Sequence, residues 1–186
     1  MNSDIRATLR RLKPEKRRAQ LKPRNESDLD FIETTSKRPG KLLYDTTVYI
    51  DILQNRFPLG GEFMLRAAEA WHSPATEAEL SAAIGLLDPG HSGTGEIIEQ
   101  ITAVIERRPS YRTIVPDLEM WREAGILSGV LARLQGYGKD QRRQALNDAL
   151  LFASAGKHGC AVLTRNVVDF DLLQQLDPSG SVLFYK

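Results

Sequence analysis

Short apolar runs separated by long helical patterns constrain this chain more than any other feature. Leu42-Leu43-Tyr44, Cys160 to Thr164 and Ser181 to Tyr185 read as buried strands. Residues 72–75 and 113–115 are weaker strand candidates. The stretches 47–55, 61–71, 76–87, 95–106, 117–134, 139–157 and 169–176 read as helices. Strands alternating with helices predict a parallel sheet covered on both faces, an α/β fold with a three-layer α/β/α sandwich. Such sheets place their sites outside the carboxyl ends of the strands.

Acidic residues stand at those ends. Asp45 directly follows the first strand. Glu79 lies one helical turn beyond the second. Asp169 follows the strand that ends at Thr164, across Arg165-Asn166-Val167-Val168. Each also fits ordinary capping: Asp45 before a helix, Thr76-x-x-Glu79 as a capping box, and Asn166-x-x-Asp169 with similar spacing. Asp148 is different. Leu146, Ala149, Leu150 and Ala153 form an apolar stripe on its helix, while Leu151, Phe152 and Ala155 share its own face. A carboxylate on a surface that apolar requires a partner: an arginine, a cap or a metal. Four converging acids would also raise one another's proton affinity unless a cation sat among them. An all-oxygen set suits Mg²⁺ or Mn²⁺ rather than zinc.

The charge is unevenly spread. Residues 1–41 hold twelve Lys and Arg against six Asp and Glu, a surplus of six. The remainder holds thirteen against eighteen, a deficit of five. The division predicted is a basic N-terminal arm and linker over 1–41 and an α/β body over 42–186. Ile5, Leu9 and Leu12 have helix spacing, Pro14 and Pro23 interrupt it, and Lys37-Arg38-Pro39-Gly40 reads as linker. A basic arm on an acidic body points to contact with nucleic acid or with the body itself. The single cysteine, Cys160, argues against an oxidising compartment, and no run approaches the roughly 20 apolar residues of a membrane span. A cytoplasmic protein without membrane contact is expected.

Four segments resemble the PIN-domain nucleases, and within them the VapC-like toxins of bacterial toxin–antitoxin pairs. They are Leu42 to Asp51, Thr76-Glu77-Ala78-Glu79-Leu80, Asn147 to Ala155, and Val162 to Phe170. Their order and separations also fit. The resemblance covers 42–186 and leaves the arm unaccounted for. It implies that Asp45, Glu79, Asp148 and Asp169 are catalytic, metal-binding acids, with Asp45 the central ligand. It further implies that Thr164, Asn166 and Thr47 support them, although Thr47 stands where the family often has Asn or Ser. Glu77 is a rival to Glu79, which is preferred because Leu80 follows it. Asp51 reads as a rim residue. The implied activity is Mg²⁺- or Mn²⁺-dependent hydrolysis of RNA by an activated water, leaving a 5′-phosphate. A cognate antitoxin and a homodimer are the implied partners, met through the helices at 61–71 and 95–106.

RNA demands nearby positive charge. Arg165 is the first candidate because it lies in the acid-bearing loop, with Arg56, Arg66, Arg142 and Arg143 behind it. His72, His91 and His158 lack metal-ligand spacing. Gly90-His91-Ser92-Gly93-Thr94-Gly95 lacks the lysine of a phosphate loop. Gly136-Tyr137-Gly138 reads as a loop, and Trp71 and Trp121 as packing residues on helical patterns. Two alternatives are a PIN-like module that binds RNA or protein without cutting, and a haloacid-dehalogenase-type phosphatase. The latter requires an Asp two residues after the first, where Thr47 stands.

Overall fold

The computed structural model describes residues 5–35 and 40–186. The linker at 37–40 therefore falls, except for Gly40, outside the described residues. Four parallel strands form one sheet: β1 (Lys41–Tyr44), β2 (Glu69–Trp71), β3 (Ala161–Thr164) and β4 (Ser181–Phe184), in the order β2-β1-β3-β4. The chain leaves β1 in one direction to reach β2, then crosses to β3 on the other side. The crevice between β1 and β3 is the topological switch point of the sheet.

Side-chain alternation builds the two outer layers. Leu43, Val162, Val182 and Phe184 face a layer of α6 (Leu118–Gln135), α7 (Lys139–His158) and α8 (Val167–Leu176). Leu42, Tyr44, Leu163 and Leu183 face α2 (Thr46–Leu53), α3 (Leu59–Ala67), α4 (Pro74–Gly85) and α5 (Thr94–Glu106). This is the predicted three-layer α/β/α sandwich. None of the described helices is long and apolar enough to cross a membrane.

Two predicted elements differ. The helix expected to run to Trp71 ends at Ala67, and the second strand is Glu69–Trp71 rather than 72–75. The register of Lys41 to Leu43 against Glu69 to Trp71 holds that segment extended. Trp71 is accordingly a strand residue. The segment 113–115 forms a single bridge, Thr113 to His72, beyond the end of β2.

The arm packs on the body. Its first described element is α1 (Ile5–Leu12), which buries Leu12. Leu29, Phe31 and Ile32 are also buried, and Phe31 pairs with Phe184 alongside β4. Backbone bonds Ile32 N to Phe184 O and Phe184 N to Asp30 O, both 2.8 Å, cover that edge. Two of the arm's arginines form ion pairs across this contact. Arg11 pairs with Glu123 (2.6 Å) and with Asp177, and Arg24 Nε pairs with fully buried Asp171 (2.6 Å). Contact with the acidic body, one of the two options for a basic arm, is present.

Candidate active site

Asp45 directly follows β1 and N-caps α2, its Oδ1 accepting from Thr46 N at 2.7 Å. Its Oδ2 accepts from the hydroxyls of Thr47 and Thr164, each at 2.7 Å. The capping interpretation is thus true and incomplete, because both oxygens are fixed by three donors. Asp45 is buried, and burial raises its pKa; the three hydrogen bonds oppose that rise and the nearby Glu79 adds to it. Thr164, the last residue of β3, is fully buried, and its hydroxyl also accepts from Asn166 N at 2.9 Å. Thr47 accepts from Arg165 N at 3.2 Å, so one hydroxyl ties the two loops across the crevice.

Glu79 lies in α4, whose N-cap is Ser73 rather than Thr76. Freed from capping, Glu79 accepts from the Thr46 hydroxyl through Oε2 and from Asn147 Nδ2 at 2.8 Å through Oε1. Its rival Glu77 is exposed and lies 3.7 Å from Arg108 instead. Asp169, in the first turn of α8, accepts from Tyr137 Oη at 3.0 Å and from Asn166 Nδ2 at 2.9 Å. Asn166 also N-caps α8.

Asp148 completes the group from α7. It is half-buried, and Asn166 Nδ2 stands 3.5 Å from its Oδ2. Burial pushes its pKa from the ordinary 3.8 up to about 9, reinforced by Asp45, Asp169 and Glu79. Among the described residues no Lys or Arg balances it. Of the three partners open to it from sequence, the arginine is absent from this environment and the cap does not apply in mid-helix. The four acids come together around the crevice, within electrostatic reach of one another.

The donor set has the all-oxygen chemistry that hard divalent cations take. All four acids offer oxygen, and a cation would offset both the burial and the repulsion that suppress Asp148's charge. Among the described residues no three acidic, histidine or cysteine side chains close into a cage by themselves. That is compatible with an ion bound through one or two carboxylates and otherwise hydrated, as Mg²⁺ commonly is.

Asp51 is not at the rim as expected from its spacing. It is 1% exposed and accepts from Tyr185 Oη at 2.8 Å. Arg165 Nε and Arg56 Nη2 flank it at 2.9 and 3.2 Å. The other basic candidates are divided: Arg142 is turned to the Tyr137 carbonyl (3.0 Å) and Arg66 to Glu62 (3.5 Å), while exposed Arg143 lines a groove of about 560 Å³ with Glu79 and Asn147. His72 is buried against Tyr49 Oη (2.5 Å), and burial together with Arg108 and Arg112 lowers its pKa to about 4. Sequence reasoning missed Thr46, Asn147 and Tyr137. Asn147 could have been noticed beside Asp148; nothing in the loop around Tyr137 signalled its contact.

No family model matches this sequence, and no curated protein does. Solved structures do match. VapBC from Salmonella typhimurium, determined bound to DNA, aligns at 20% identity and TM-score 0.55, over 77% of this chain and 97% of that one. VapBC2 from Rickettsia felis, bound to a promoter DNA fragment, aligns at 12% and 0.53, over 78% and 98%. VapBC-5 from Mycobacterium tuberculosis, a member of the VapBC family of toxin–antitoxin systems, aligns at 21% and 0.50, over 80% and 99%. The chain therefore shares the α/β fold of these VapBC structures.

Proposed function

We propose that this protein is a metal-dependent endoribonuclease acting as the toxin of a toxin–antitoxin pair. The observation that carries this reading is the meeting of Asp45, Glu79, Asp148 and Asp169 at the switch-point crevice, where no Lys or Arg among the described residues balances Asp148. The likeness to VapBC complexes supports the toxin assignment and a cognate antitoxin; a homodimer is part of the same proposal.

Asp45 and Asp148 are the principal candidates to hold Mg²⁺ or Mn²⁺, with Glu79 and Asp169 facing its water shell. A bound ion would supply charge screening at phosphate and acidify a water for in-line attack. The protein's own part is orientation. Thr47 and Thr164 fix Asp45, Thr46 and Asn147 fix Glu79, and Tyr137 and Asn166 fix Asp169. Carboxylates held this way need not reorganise when substrate arrives. Arg165 is the proposed contact to RNA phosphate.

The test is cleavage of single-stranded and structured RNA with Mg²⁺ or Mn²⁺, with chelator, and with an Asp45→Asn variant. Metal-dependent cutting that disappears in the variant is expected. A folded protein that binds RNA or a partner but cuts under no condition would favour the non-catalytic module.

A further inference from the structure

A site built from four acids repels the backbone it is proposed to cut, so the same crevice needs fixed positive charge. Resting on the nuclease reading above, we propose that Asp51 is a positioning residue that holds Arg165 and Arg56 as a two-arginine clamp for phosphates of single-stranded RNA beside Asp45.

Three observations carry this. The Asp51 carboxylate is buried, whereas the arginines it pairs with are 45% and 54% exposed at the side chain. One carboxylate therefore forms ion pairs with two guanidinium groups that remain open to solvent, leaving a local surplus of one positive charge. Next, the anchor is stiff. Tyr185 Oη donates to Asp51 Oδ2, and the Asp51 carbonyl accepts from Arg56 N (2.7 Å) and Phe57 N (3.2 Å), so the turn after α2 folds onto Asp51 itself. Finally, the clamp is joined to the acids. Arg165 N donates to the Thr47 hydroxyl, which donates to Asp45 Oδ2, placing the root of Arg165 two hydrogen bonds from Asp45. Guanidinium is the cation whose planar fork matches a phosphate. A tie serving only to join α2 to the β3–α8 loop would need one arginine.

The experiment is binding of a labelled single-stranded RNA, followed by anisotropy across salt concentrations with Ca²⁺ replacing Mg²⁺. Cleavage in Mg²⁺ and thermal melting are measured on the same proteins. Arg165→Ala and Arg56→Ala should each weaken binding and lower the slope of log affinity against log salt by about 0.7, the loss of one phosphate contact on a single strand. Asp51→Asn should also weaken binding, with KM raised and kcat little changed, although it removes a negative charge; simple charge removal would tighten it. Arg66→Ala, on the surface pair with Glu62, should leave affinity and slope unchanged. If Asp51→Asn does not fold, Arg165→Lys and Arg56→Lys take its place, and weaker binding at constant charge is expected. Unchanged slopes in the Arg variants, or tighter binding by Asp51→Asn, overturn the clamp even if wild-type protein cuts RNA. Binding losses as predicted in a protein that never cuts support the clamp and sink the nuclease reading. Wild-type protein that does not bind RNA overturns the clamp.

Discussion

Asp148 is the residue on which the electrostatics turn. Its folded-state pKa of about 9 stands above the ordinary 3.8, so the metal-free folded protein binds this proton more tightly than the unfolded chain does. The sign follows: the associated stability is fully present below about pH 4 and is lost as pH rises through about 9. In chelator, the melting temperature of the wild type should therefore fall across that window relative to Asp148→Asn, which has no carboxyl to ionise. Calorimetry at several pH values checks this, and parallel curves for the two proteins would count against it. Asp45 was legible in the sequence because it directly follows a strong strand, and Asp148 because it stands on an apolar helix face. Their neighbours were not. Thr46, Asn147 and Tyr137 act by donating one hydrogen bond across elements, and no periodicity marks such a role. Asp51 was misplaced for a related reason: spacing along a helix gives its face, but burial came from Tyr185, 134 residues away.

Among the elements, β3, β4 and the long helices were legible because their apolar patterns are strong. β2 was not. Glu69-Ala70-Trp71 has no apolar run, and each residue is only half-buried, so pairing with β1 rather than propensity makes it a strand. The turn between α6 and α7 shows how an element end reaches the site. Gly136 closes α6 at φ +69°, and the next residue, Tyr137, donates to Asp169. A side chain in that left-handed conformation costs about 1 kcal/mol. Gly136→Ala should lower stability by roughly that amount in urea denaturation, and an unchanged midpoint would mean that the turn relaxes freely.

At the scale of the whole molecule, the arm completes the fold that the body begins. Phe31 covers the β4 edge, which would otherwise be free to pair with another chain. Three apolar residues in a polar stretch, Leu29, Phe31 and Ile32, were too few to signal this from sequence. Arg24 is the electrostatic fastening, pairing through both its backbone N (2.8 Å) and its Nε with buried Asp171. Arg24→Ala should cost about 1–2 kcal/mol, less than a fully buried pair because the arginine is partly solvated. Equilibrium unfolding measures it, and a loss near zero would make the arm's charge incidental. The central claim, that four acids from four elements constitute one cation site, is tested most directly by titrating Mn²⁺ into the purified protein near pH 7.5. Calorimetry in two buffers of different ionisation enthalpy reads proton release at the same time. Binding accompanied by release of about one proton, and lost in Asp45→Asn, is the predicted result; no binding at millimolar Mn²⁺, or binding that Asp45→Asn leaves intact, would contradict it.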